Sequence, residues 1–302
     1  MQSHIIHTED LDFSFGQYKV LKKLSLAVPE GSIYGFLGPN GAGKTTTIKI
    51  LLGLLQTKKG RVFLFNNDIA CDLIPILART GNMVETPTIY QHLSGKENVD
   101  MVRILRNLPP EKTQEILQRV GLWDDADRKA GKYSNGMKQR LSLAIALLGS
   151  PDLLILDEPM NGLDPSGIIE IREFLKELNR QSGTTILLSS HLLGEIEKLA
   201  THIGIIDKGV LKFQGTMDEL HSIMQKSKTV YIKTNDNKEA IRIINSPALS
   251  ATLKNDCLVI HVASENEVAE AVRILVGKGI DVYQVRNHQS DLEELFLQVL
   301  IV

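Results

Sequence analysis

Apolar residues recur at alternate positions along 5–12 and again along 19–28, on either side of Phe15-Gly16-Gln17. This period of two predicts a pair of β-strands around a turn. Ile33 to Leu37 is a short apolar strand, a Gly-rich loop follows it, and a helix is expected from about 44 to 55. Residues 61–65 give another strand. From 93 to 150 the pattern becomes helical, with NVDMVRILRNL and TQEILQRVGL interrupted at Pro109-Pro110 and Gly121. An α-helical insert is the reading. The run DLLIL at 152–156 is wholly apolar, as in a parallel strand covered on both faces. A helix at 167–180 and a strand at 184–190 continue the α/β alternation.

The polar stretch HSIMQKSK at 221–228 marks a domain boundary. Beyond it the pattern reads strand (230–233), helix (238–244), two strands around Asn255-Asp256, helix (265–276) and strand (282–285). The order βαββαβ predicts a ferredoxin-like module. An amphipathic segment, DLEELFLQVL, closes the chain. The expected organisation is a larger α/β domain over 1–222 and a small α+β accessory domain over 226–302.

The loop after the first apolar strand carries specific chemistry. Gly38-Pro39-Asn40-Gly41-Ala42-Gly43-Lys44-Thr45 fits G-x-x-x-x-G-K-[ST]. Glycines at these places let successive N–H groups turn onto phosphate oxygens, with Asn40 and Ala42 between them. The helix beginning at Lys44 adds its positive end. Lys44 is expected on the β- and γ-phosphates, Thr45 on Mg²⁺ and Thr46 on a phosphate. The loop lies between an apolar strand and a helix, the context this chemistry needs, so an accidental glycine-rich turn is rejected. The strand at 152–156 runs into Asp157-Glu158-Pro159. Asp157 is expected to hold Mg²⁺ through water and Glu158 to polarise the attacking water.

Composition excludes other classes. The net charge of −2 gives no broad basic surface for nucleic acid. Cys71 and Cys257 lie far apart, without metal-ligand spacing. Apolar runs stop well short of the ~18 to 20 residues that a membrane helix requires. The opening MQSHIIHTED predicts no export signal.

Between the two phosphate-site segments lies Tyr133-Ser134-Asn135-Gly136-Met137-Lys138-Gln139-Arg140. This resembles the LSGGQ signature of ABC ATPases, and the order of motifs over about 5–220 is that family's order. The resemblance implies the P-loop ABC-ATPase fold, with an antiparallel β subdomain and an α-helical subdomain. It implies ATP and Mg²⁺ as cofactors, a transmembrane permease as partner, and no nucleic acid. It also implies a head-to-tail ATP sandwich in which Ser134 and Gly136 act on the nucleotide of the opposite subunit, a second copy or a different cassette. Asn161-Gly162-Leu163-Asp164 resembles the D-loop, His191 the switch histidine, and Phe15 the aromatic that stacks on adenine. Val84 to Ser94 resembles the Q-loop, with Glu85 in place of Gln as a group for metal and catalytic water. Two departures stand in the signature: Tyr133 for Leu, and Asn135 for Gly, a residue that tolerates left-handed backbone.

Glu85 and the small C-terminal module resemble the subgroup that exports lantibiotic- and bacitracin-type peptides or drugs, or gives self-immunity. The expectation is therefore an ATP-hydrolysing subunit, cytoplasmic and peripheral on the membrane. Two alternatives belong to other classes: a soluble ABC ATPase acting on ribosomes or nucleic acid, and a regulatory cassette with little hydrolysis. A single Gly-rich loop and no coiled-coil insert disfavour the first. Glu158 and His191 disfavour the second.

Overall fold

The first strands separate into two small sheets. They are β1 (His4–Thr8), β2 (Leu11–Phe15), β3 (Tyr18–Leu24) and β4 (Ala27–Pro29). Each long strand expected from the sequence is broken in two. Asp10 (φ 40°) and Lys23 (φ 50°) take left-handed backbone, and Ser25 Oγ accepts the Asp10 N–H at 3.1 Å. These turns peel β2 and β3 away as a separate antiparallel ribbon, while β1 pairs with β4. The structure is a computed structural model, describing residues 3–58, 61–84, 89–191, 193–225, 228–244, 251–254, 257–262 and 264–288.

β5 (Ile33–Leu37), α1 (Lys44–Leu51), β6 (Val62–Leu64) and β7 (Asn67–Asp68) follow, and the second sheet has the order β4-β1-β6-β7. Next come α2 (Leu73–Ala78), β8 (Thr80–Met83), α3 (Gly95–Leu105), α4 (Glu111–Arg119) and α5 (Asn135–Leu147). Then come β9 (Leu153–Asp157), α6 (Pro165–Ser182), β10 (Thr185–Ser190), α7 (Leu193–Glu197), β11 (His202–Asp207) and β12 (Val210–Thr216). The main sheet runs β12-β11-β5-β10-β9-β8, and its strands from β11 to β8 are parallel. β5, β9 and β10 are buried along their whole length, which is why their centres read as apolar runs, with polar residues confined to the ends of β9 and β10. Ile48 and Leu51 of α1 close over Tyr34, Phe36, Leu153 and Leu187 in one core. Each such side chain contributes roughly 1.5–3 kcal/mol by leaving water.

Helices α3, α4 and α5 form the insert. A capping box starts α3: Ser94 Oγ accepts the Glu97 N–H at 3.1 Å and Glu97 accepts the Ser94 N–H at 2.7 Å. That N–H holds the Glu97 carboxyl below its usual range. α6 starts at Asp164, followed by Pro165, and stops at Gly183 with φ 66°.

Contacts divide the chain into Met1–Gly215 and Thr216–Val302. The second unit contains α8 (Met217–Gln225), β13 (Lys228–Thr234), α9 (Asn237–Ile244), β14 (Ala251–Lys254), β15 (Cys257–Val262), α10 (Glu265–Gly277) and β16 (Val282–His288). Its antiparallel sheet has the order β14-β15-β13-β16. Val230, Ile232, Leu258 and Ile260 form a core there with Ala240 of α9 and Leu275 of α10. From β13 onward the order βαββαβ with this pairing is the ferredoxin-like arrangement. The expected closing segment DLEELFLQVL and the turn Asn255-Asp256 lie outside the described residues.

Candidate active site

The strand-loop-helix unit from β5 to α1 builds a cradle at the C-terminal edge of the parallel sheet, the usual ligand edge of open α/β sheets. Gly41 (φ 79°) and Gly43 (φ 113°) occupy backbone that a side chain resists. Packing also fixes the glycines, since a Cβ on Gly38 would meet Ile206 O at 2.4 Å and one on Gly43 would meet Leu21 Cδ2 at 2.7 Å. Lys44 is folded back onto the loop, its Nζ donating to Gly38 O at 2.7 Å and to Pro39 O at 3.4 Å. Burial lowers the Lys44 pKa, and the charges of Glu158 and Asp157 oppose that shift.

β9 ends beside this loop. Thr45 Oγ1 donates to Asp157 Oδ2 at 2.9 Å. The two side chains set hard oxygen donors side by side, the kind of donor Mg²⁺ takes directly or through a bound water. Thr45 and Asp157 are thus the pair that would hold the ion. Ser189 at the end of β10 donates its hydroxyl to Asp157 Oδ1. Ser189 Oγ and Ser189 O accept the Glu158 N–H at 3.0 and 3.2 Å.

Glu158 takes left-handed backbone (φ 52°) just after β9 ends. Its Oε2 lies 2.8 Å from His191 Nδ1 and its Oε1 lies 3.9 Å from Lys44 Nζ. Lys44, Thr45, Asp157, Glu158 and His191 therefore meet in one place, though they come from β5-α1, β9 and the end of β10. Thr46, next to Thr45, is half-buried, and Asn40 is exposed on the loop.

The remaining expected residues stand elsewhere. Ser134 caps α5 and accepts the Met137 N–H at 3.2 Å, so its own hydroxyl hydrogen stays available to a ligand. Asn135 is the first residue of that helix and is absent from the left-handed positions, so its tolerance of such backbone is not used. A Cβ on Gly136 would find only Ser134 Oγ, at 4.0 Å. Asp164 caps α6, accepting the Gly167 N–H at 3.2 Å and the Ser166 hydroxyl at 2.8 Å. Phe15 is 54% exposed at the tip of the β2–β3 ribbon, edge-on to Phe13 and paired with Tyr18. The ribbon is tied to the cradle, because Leu21 covers Gly43 and the Gly209 N–H bonds Ala42 O at 2.9 Å while Gly209 O accepts from Lys22. Glu85 lies outside the described residues.

Two positioning residues escaped the sequence reading. Ser189 was signalled by a hydroxyl pair closing an otherwise apolar strand. Gln139 donates from α5 to Pro159 O, joining the insert to the end of β9. Only the packed fold shows that contact.

A family model described as ABC transporter matches residues 21–161. The chain is 37% identical to the bacitracin transport ATP-binding protein BcrA of Enterococcus faecalis, over 99% of this chain and 97% of that protein. The chain belongs to the ATP-binding subunits of ABC transporters. It is also 37% identical to the lantibiotic transport ATP-binding protein SrtF of Streptococcus pyogenes, over 71% of this chain and 92% of that one. Among solved structures, cbiO1 from Clostridium perfringens, part of the ABC transporter complex cbiONQ, superposes with a TM-score of 0.67. It has 26% identity, covering 73% of this chain and 92% of that one. The described fold is accordingly the ABC-ATPase cassette. ATP is its substrate, and it is an ATPase that powers transport through a membrane partner. No helix among the described residues is long and apolar enough to cross a membrane itself.

Proposed function

We propose that two cassettes close head to tail on Mg-ATP and that hydrolysis reopens them, driving export of a peptide antibiotic or drug through a separate permease. The meeting of Lys44, Thr45, Asp157, Glu158 and His191 carries this reading. Mg²⁺, when held by Thr45 and Asp157, neutralises charge on the phosphates. Lys44 releases the Gly38 and Pro39 carbonyls and turns to the β- and γ-phosphates. Glu158 orients the attacking water, and His191, in contact with that carboxylate, holds it in place. Phe15 receives the adenine. Glu85 would offer a carboxylate oxygen to the metal and water. Asp164, at the cap of α6, relays closure between the subunits.

The uncommitted hydroxyl of Ser134 and the open space over Gly136 support a phosphate contact in trans, since nothing among the described residues fills that place. Both halves of the sandwich are present in one chain, which favours a homodimer. Exposed Tyr90, Ile104 and Leu105 offer the permease an apolar docking surface beside α3. A permease docked there would hold the protein on the cytoplasmic face of the membrane. The names of the bacitracin and lantibiotic relatives support a peptide substrate.

Glu158→Gln tests the reading. The variant should keep Mg-ATP binding, lose at least about 100-fold in turnover and accumulate as a closed dimer. A native pull-down of that trapped dimer should recover a polytopic membrane protein. Recovery of ribosomes or DNA without a permease would reject the transport role.

A further inference from the structure

Between α4, α5 and α6, away from the phosphate cradle, lies a cleft of about 290 Å³. Leu143, Ile171 and Phe174 give it an apolar lining, and Arg119 and Arg140 border the same space. Arg140 Nε is buried and has no hydrogen-bond partner, the one such side-chain atom among the described residues. Neither guanidinium forms an ion pair or hydrogen bond with another described residue. Glu170, the acid on the cleft, is exposed and pairs with neither. Gly121, at the end of α4, brings bare backbone past the guanidinium; a Cβ there would lie 3.5 Å from Arg140 Nη1.

An exposed arginine needs no partner. Arg140 Nε, closed off by packing, is left unpaired at a cost of about 1–3 kcal/mol, and a carboxylate recovers that cost only by opening the wall of the cleft beside this guanidinium. Arginine cannot escape that cost by losing its proton. Two guanidiniums against one peripheral carboxylate leave the cleft positive. Their planar forks match carboxylate oxygens. The lining favours hydrocarbon over a bare inorganic ion, and the volume suits a compact molecule. We propose that this cleft binds a small carboxylate on an apolar body, its oxygens held by Arg119 and Arg140 and its hydrocarbon by Leu143, Ile171 and Phe174. Such a ligand wedges α5 against α6. Those helices begin at Ser134 and Asp164, so occupancy fixes the spacing of two elements of the ATP sandwich and changes hydrolysis from a distance. This last consequence rests on the proposed function; binding itself does not.

The test uses the purified full chain and saturation-transfer NMR at constant ionic strength. Hexanoate is the probe. Acetate supplies the charge alone and hexanol the hydrocarbon alone. The expected result is saturable hexanoate binding, at least about tenfold tighter than either control, because both features are read. Arg119→Gln, at an exposed position, and Arg140→Lys, which keeps charge but not the fork, should each weaken hexanoate about tenfold while ATP still binds. Dodecanoate binding tighter than hexanoate would identify the acid as a lipid product, and weaker binding a water-soluble one. Equal binding of hexanoate and hexanol, or hexanoate binding unchanged in Arg119→Gln, would overturn the proposal and leave the ATPase reading intact.

Discussion

At the residue scale, the site depends on side chains that touch neither phosphate nor water. Ser189 joins Asp157 to the backbone of Glu158 through one hydroxyl, so the carboxylate expected at the metal and the one expected at the water share a support. Outer-shell partners of a metal ligand commonly carry 10- to 100-fold effects. Ser189→Ala should therefore raise the Mg²⁺ concentration for half-maximal ATPase activity by about tenfold, with ATP affinity less affected. A Mg²⁺ titration at fixed ATP reads this directly, and an unchanged midpoint would limit Ser189 to packing. Lys44 shows a second economy. The loop carbonyls of Gly38 and Pro39 accept from its ammonium, so a buried charge is not left bare.

Elements explain what was legible in the sequence. Strands buried on both faces, β5, β9 and β10, announced themselves as apolar runs, and the loop and acids at their ends were found with them. β8 was missed because its sequence, Thr80-Gly81-Asn82-Met83, has one large apolar residue and no alternation. Gly81 is nevertheless required, since a Cβ there would meet Ala146 O of α5 at 2.1 Å. The break of the first long strands was also hidden, because left-handed turns at Asp10 and Lys23 leave no glycine to mark them. Tyr133, a departure in the signature, gains its reason only in the packed insert. Its hydroxyl donates to Asp125 O at 2.6 Å and fills the place where a Gly95 side chain would stand, 2.2 Å from that missing Cβ. Gly95→Ala should therefore destabilise the protein by about 1–3 kcal/mol. The double change with Tyr133→Leu should recover most of that loss. Thermal unfolding of the four combinations gives the coupling, and simple additivity would refute it.

For the whole molecule, the site is built entirely within the first of two units, each with its own apolar core. Heating should give two transitions. Mg-ATP at about 100 times its Kd adds roughly 2.7 kcal/mol to the unit that binds it. For a unit of this size, that raises its midpoint by about 5–10 °C. Calorimetry of the Glu158→Gln chain avoids turnover during the scan. The transition of residues 3–215 should move while that of residues 216–288 stays. One transition moving as a block would show that the two cores melt together. The βαββαβ order of the second unit was visible in the sequence because its strands and helices alternate cleanly. Its partners were not, because an antiparallel sheet with helices on it carries no chemistry of its own.

The left-handed backbone at Glu158 also bears on descent. Such a conformation disfavours most side chains, and asparagine or glycine would occupy it at lower cost. Heat resistance alone would replace the glutamate. On the proposed mechanism, what would retain it is the demand for a carboxylate opposite His191. A duplicated copy of this chain, released from its task, would have an open route at this one position toward a sturdier and inert protein. Loss of activity would then be recorded first as a gain in stability.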